Sequence, residues 1–114
     1  MPKAEELAQQ YTKDQVWKKF DALPERVRDT ILAPKNLEQI YFIAKENNIL
    51  DKAEYLVRYV DLVLLGIVPI TLLRETLEEE LRIDEARARK IAMEIRDKIF
   101  MQAKDELQKI HGLG

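Results

Sequence analysis

The sequence predicts an all-α protein: a compact bundle of five to six helices with a long C-terminal helix. Three observations carry this. Only three Gly and four Pro occur in 114 residues, too few for a series of hairpins. Helix-start signals recur between them. Apolar side chains return at intervals of three and four along most of the chain. A mixture of 46% hydrophobic and 35% charged residues is that of a folded globular chain. The length suits one domain, able to bury roughly 65% of its unfolded surface without disulfides or metal.

Residues 1–12 are polar and weakly periodic, and are expected to form a tail or a frayed helix. The single helical domain is expected over 13–111. Its first firm helix is Lys13–Ala22, where Val16, Trp17, Phe20 and Leu23 fall at helical spacing. Pro24 suits the first turn of the next helix, where its missing N–H costs nothing. Val27, Ile31 and Leu32 are expected to face inward there, and the helix ends before Pro34. Asn36 is the expected N-cap of a third helix. Leu37, Ile40, Tyr41 and Ala44 form its stripe, and Asn47 and Asn48, which tolerate left-handed backbone, suit its end.

The helix over 51–65 is the most informative segment. Asp51-Lys52-Ala53-Glu54 has the form of a capping box, and Leu50 is placed to staple onto Tyr55. From 53 to 65 only Glu54, Arg58 and Asp61 are charged. They lie within about 60° of one another on the helix, at the spacings of two local ion pairs. The rest of the circumference is apolar, so this helix is expected at the centre of the bundle. Gly66 suits its C-terminal cap.

Thr71 is the expected cap of a helix ending at Leu81, with Leu73, Leu77 and Leu81 inside and Glu75, Glu78, Glu79 and Glu80 outside. Ile83-Asp84 then supplies a staple and an acidic cap. No Gly or Pro interrupts 84–110, so one long, partly protruding helix is expected. Ala88, Ile91, Ala92, Ile95 and Ile99 make one apolar arc. Ala86, Met93, Phe100 and Leu107 make a second row, more apolar surface than a terminal surface helix needs.

Composition removes whole reaction classes. There is no Cys and no Ser, and the single His is His111. Nucleophilic triads, thiolate metal sites and paired histidine ligands are therefore absent. The four threonines suit caps or helix faces and lack a nearby His. Three scattered glycines make no phosphate loop. Glu75, Glu78 and Glu79 read as a solvated acidic face rather than a cation site, and His111 as a cation favoured by the end of the last helix. No cofactor is expected. A formal net charge of -2 argues against a dedicated nucleic-acid or membrane binder. The apolar run 62–73 is too short for a spanning helix and is broken by Gly66 and Pro69. Without a signal core at the N-terminus, a cytoplasmic chain is expected.

Several segments resemble a short helical domain found in many predicted proteins of candidate-phyla bacteria (Patescibacteria). They are Leu23-Pro24-Glu25 with Ile31-Leu32; Leu62-Val63-Leu64-Leu65-Gly66 followed by Pro69; Ile91-Ala92-Met93-Glu94-Ile95 leading into Lys98-Ile99-Phe100; and Leu107-Gln108-Lys109-Ile110-His111. The resemblance covers roughly 20–111. It implies an all-helical fold and a bacterial source, and supplies no catalytic residue. Similar sequences often carry an apolar-Pro-basic segment after the position of Phe100. Here Met101-Gln102-Ala103-Lys104 has no Pro, so the last helix is expected to continue unkinked.

The expected function is non-catalytic: protein–protein interaction, self-association or a small structural subunit. Met93, Phe100, Ala103 and Leu107 are the expected partner contacts, on a seam at the end of the last helix. The alternative is a helical nucleic-acid-associated subunit using Arg82, Arg89 and Arg96, which repeat every seven residues. Against it, acidic residues interrupt the basic field and no aromatic is interleaved for base stacking.

Overall fold

The computed structural model describes residues 3–112. Among these it has eight α-helices and no strand: α1 (Ala4–Gln9), α2 (Lys13–Ala22), α3 (Glu25–Leu32), α4 (Pro34–Glu46), α5 (Ala53–Leu64), α6 (Leu73–Leu81), α7 (Glu85–Lys98) and α8 (Lys104–Ile110). Single 3₁₀ turns precede α5, α6 and α8. The all-α class holds. The helix count rises above six, and the long C-terminal helix is two helices.

Helix starts follow local chemistry at two places. Thr12 and Gln15 exchange hydrogen bonds at the start of α2, with Gln15 N donating to Thr12 Oγ1 at 3.2 Å and Thr12 N donating to Gln15 Oε1 at 2.8 Å. Asp84 caps α7 by accepting from Arg87 N at 3.0 Å. Elsewhere the expected caps do not form. Pro34 occupies the first position of α4, which displaces Asn36 into the helix. Asp51 lies in a 3₁₀ turn and α5 has no side-chain cap; Leu50 and Tyr55 are both exposed, so no staple forms. Thr71 is likewise inside a 3₁₀ turn.

Two helix ends are built alike. Asn48 and Gly66 both take left-handed backbone, with φ of 59° and 78°. Ile49 N then donates to Ala44 O at 2.8 Å, and Ile67 N to Leu62 O at 2.9 Å. The preceding amides donate to Lys45 O and Val63 O, which completes the six-to-one and five-to-two pattern at the ends of α4 and α5. A Cβ on Gly66 would sit 2.7 Å from Ile110 Cγ2, so any other residue here takes a strained φ and displaces the Ile110 side chain.

α5 is the central helix. Seven of its side chains are buried, from Ala53 to Leu64, and α3, α4 and α6 pack on it. α6 and α7 form a helical hairpin whose joint turns at Arg82, with φ of 53°. α4 and α7 run antiparallel, since Asn36 meets Gln102, Phe42 meets Lys98 and Asn47 meets Glu94. The buried row of α4 is Asn36, Ile40, Ile43, Ala44 and Asn47, rotated from the expected stripe, while Leu37 and Tyr41 stay on the surface. Leu32, expected inside, is 66% exposed.

The last segment breaks after Ile99, where φ is −113° and ψ −59°. The 3₁₀ turn Phe100–Ala103 sends α8 back against α3. No proline is involved. Folding back buries Phe100, Ala103 and Leu107, which a straight helix would leave in water. Gln102 holds the bend: its Nε2 donates to Asn36 Oδ1 at 2.7 Å and to Lys98 O at 2.8 Å. The radius of gyration, 13.2 Å, is that of a compact chain of this length, roughly 13 Å.

In the N-terminal segment α1, Ala4–Gln9, is a helix docked on the bundle. Ala4 is buried, and Leu7, Ala8 and Tyr11 pack on the core. Residues 1 and 2 of the expected tail lie outside the described residues.

Candidate functional site

The expected partner contacts do not share a surface. Phe100, Ala103 and Leu107 are buried core residues, because α8 folds back over them. Met93 alone is exposed, at 48%, beside a shallow hollow between α6 and α7. The basic row is also divided. Arg82 stands in the α6–α7 joint rather than on α7. Arg89 pairs with Glu85, and Arg96 with Asp97 at 3.1 Å. Arg74, Arg87 and Lys98 have carboxylates beside them as well. Paired charges of alternating sign give little of the field that draws a phosphate backbone.

His111 is not a free terminal cation. Its ring is half-buried between the end of α5 and the turn before α6. Ile70 N donates to Nδ1 at 3.3 Å, and Nε2 lies 2.9 Å from Val63 O. A ring that accepts at Nδ1 and donates at Nε2 is the neutral Nε2–H tautomer. Burial holds its pKa below the usual histidine value, outweighing the Val63 carbonyl. Both ring nitrogens are engaged by the backbone.

The charged stripe of α5 resolves differently from the two local pairs its spacing suggests. Arg58 reaches α1 instead, with Nε 2.9 Å from Glu5 Oε1 and Nη2 3.0 Å from Oε2. Tyr59 Oη lies 2.8 Å from Glu5 Oε1 and 3.2 Å from Glu80 Oε2. The Arg58 hydrogen bonds hold the Glu5 carboxyl below its usual range, while burial pushes the Tyr59 phenol upward. Glu54 is exposed.

That arrangement leaves Asp61 alone. It is half-buried, and no hydrogen bond or ion pair reaches its carboxylate among the described residues. Burial pushes its pKa up to about 6. The reason is its surroundings. Asp61 stands in the wall of a cleft of about 340 Å³ between α3, α4 and α5. Ile31, Leu37, Ile40, Val57, Val60, Leu64 and Ile99 line that cleft, and the polar side chains of Thr30 and Asn36 are committed to Arg26 O and Thr30 O.

A second hollow, of about 540 Å³, adjoins on the other side of Asp61, between α2 and α5. Tyr11, Val16 and Trp17 face Leu62, Leu65 and Ile67 across it. No residue of α2 is fully buried. Leu32, Leu37 and Trp17 rim the two hollows at 66%, 48% and 60% exposure. The result is a mostly apolar groove across α2, α3, α4 and α5, with the unpaired Asp61 carboxylate near its middle and Lys13 and Arg58 on the wall of the second hollow. The sequence placed Asp61 on the wet stripe of α5. It could not place the groove, since that depends on Leu32 and Leu37 facing outward.

Among the described residues, no three His, Cys, Asp or Glu side chains converge as metal ligands, and no helix is long and apolar enough to cross a membrane. Comparison with protein families, curated proteins and solved structures finds no match.

Proposed function

We propose that this chain is a non-catalytic protein–protein interaction module, an adaptor or small subunit, that takes a partner segment into the groove around Asp61. The observation that carries the reading is the exposure of Leu32, Leu37 and Trp17 around two adjoining apolar hollows. Large apolar side chains gathered on a soluble surface mark interaction sites more often than scattered ones do. The groove walls are helices, which suits the helix-in-groove mode of recognition. A cytoplasmic setting fits a chain without cysteine. A non-catalytic role fits a histidine whose two ring nitrogens are both committed to backbone groups.

The test is comparative capture. Tagged wild type and Leu37→Asp are used as baits in nuclease-treated native lysate, with circular dichroism to verify that the variant is folded. A protein captured stoichiometrically by wild type and lost with Leu37→Asp supports groove docking. Capture that survives Leu37→Asp sinks it. Capture abolished by nuclease, and by Arg89→Glu with Arg96→Glu, would favour the nucleic-acid alternative instead.

A further inference from the structure

Among the charged side chains that line the groove, Asp61 is the one carboxylate, and it has no hydrogen-bond or ion-pair partner among the described residues. Two cations come close. Arg58, one turn before Asp61, is turned away and held by Glu5 with two hydrogen bonds. Lys13 on α2 lines the same second hollow but makes no ion pair with Asp61. The walls contributed by α3 and α4 bring no cation to the cleft, and their polar side chains are already engaged. An ionised carboxylate flanked by Val57, Val60 and Leu64 is poorly solvated and attracts any cation that arrives with its own apolar cover.

Resting on the docking reading above, we infer that the groove selects a partner helix carrying a single lysine within its apolar row, with the lysine ammonium seated against Asp61. The apolar hollows on both sides of the carboxylate take the partner's flanking aliphatic side chains. A lysine stem can lie along Val57 and Ile31 while its charged head reaches the wall. The room available exceeds what one amine would fill, which favours a segment over a free small amine. Charge complementarity of this kind fixes where along the groove the partner sits.

The probes are two amphipathic helical peptides, identical except that one bears lysine and the other norleucine at the centre of the apolar row. Binding to the full-length ¹⁵N-labelled protein is followed by amide shifts. The lysine peptide is expected to bind about tenfold more tightly at pH 7.5, where one charge-assisted contact distinguishes the two. Amides around Asp61, Leu37 and Ile31 should shift together. The preference should vanish with Asp61→Asn, survive Lys13→Met, and shrink by pH 5 as the Asp61 carboxyl takes up its proton. Equal binding of the two peptides, or a preference that survives Asp61→Asn, overturns the lysine inference and leaves groove docking standing. Silence from both peptides, with partner capture still sensitive to Leu37→Asp, has the same meaning. Silence together with insensitive capture overturns both. A dimer in sedimentation that Asp61→Asn abolishes would place a second copy in the groove and overturn the inference.

Discussion

Arg58 on the central helix holds Glu5 on the first helix through two parallel hydrogen bonds of 2.9 Å and 3.0 Å. The two residues are 53 positions apart, and Tyr59 adds a third contact to the same carboxylate. A forked guanidinium–carboxylate pair is the geometry that most favours both charges. Here it fastens α1 onto α5. Both side chains are partly exposed, so the stabilisation is at most about 1 kcal/mol. Glu5→Gln is therefore expected to free α1 without unfolding the bundle. Hydrogen exchange should speed up over Ala4–Gln9 and hardly change in α5. Because the folded-state pKa of Glu5 is lowered, its contribution is present above about pH 4.5 and is lost as the pH falls through the lowered value. Equal acceleration of exchange in α1 and α5 would show that the contact is not local.

Asp61 acts with the opposite sign. Its carboxyl titrates near 6 in the folded chain against an ordinary 3.8. The folded state thus holds this proton more tightly. Stability is greatest below about pH 4 on this account and falls as the pH rises through 6. Ionised Asp61 costs the fold on the order of 2 kcal/mol at neutral pH, after allowance for its partial exposure. Asp61→Asn should raise stability at pH 7.5 by about 1–2 kcal/mol and leave it little changed at pH 4. Urea titrations at the two pH values measure the difference directly. A variant less stable than wild type at pH 7.5 would mean that the carboxylate has a partner after all.

For His111 the folded-state pKa is lowered, so the unfolded chain binds its proton more readily. Its contribution is fully present above about pH 6.5 and is lost as the pH falls below that value. Protonation at Nδ1 removes the acceptor used by Ile70 N. His111→Phe should lower stability by about 1–3 kcal/mol at pH 7.5, since Ile70 N–H then lacks its acceptor, while Val63 C=O keeps the Gly66 amide. Imidazole ¹⁵N shifts of the wild type should report the neutral Nε2–H form at that pH. Shifts typical of an imidazolium would refute the assignment.

Gly66→Ala imposes left-handed backbone on a residue with a Cβ, at a cost of about 1–2 kcal/mol. The new methyl also meets Ile110 Cγ2, which must move. Ile110→Ala removes that neighbour. The double variant should therefore lose less stability than the sum of the two single variants, by about 0.5 kcal/mol or more. Strict additivity would mean that Ile110 does not touch the Gly66 turn.

Phe100→Asp distinguishes a core residue from a seam. Phe100 is buried in the bend between α7 and α8. The substitution should cost at least about 3–5 kcal/mol and unfold or loosen the domain. A folded protein whose only change is loss of self-association would restore the seam.

Much of the fold was legible because its signals are local. Gly66 and Asn48 end α5 and α4 as their chemistry suggests, Asp84 caps α7, and the apolar circumference of α5 marks it as central. The failures share a cause. At Asp51 and Thr71 a good local cap was overridden by a 3₁₀ turn. The break after Ile99 has no proline or glycine to announce it. It follows from burial of Phe100 and Leu107 against α3, which lies some seventy residues earlier. Asp61 was visible as a charge, but its isolation depends on Arg58 choosing Glu5 over a neighbour three residues away. Neither choice is written in the spacing of adjacent residues.

The antiparallel seam between α4 and α7 favours one of several neighbouring arrangements of the bundle. Short helices rich in leucine and isoleucine present much the same surface after a slide of one turn, about 5.4 Å. Aliphatic packing alone would distinguish such ratcheted states weakly. Asn36 and Asn47 are both buried; each donates to a carbonyl on its own side, Thr30 O and Ile43 O, and adds a partner from the far side, Gln102 and Glu94. Arg87 adds a contact to the Asn47 carbonyl at 3.1 Å. A one-turn slide breaks these far-side contacts together and leaves Asn36 Oδ1 without its Gln102 donor, at about 1–3 kcal/mol for a buried polar group. The two asparagines thus add to the aliphatic core a preference for one register of α4 on α7.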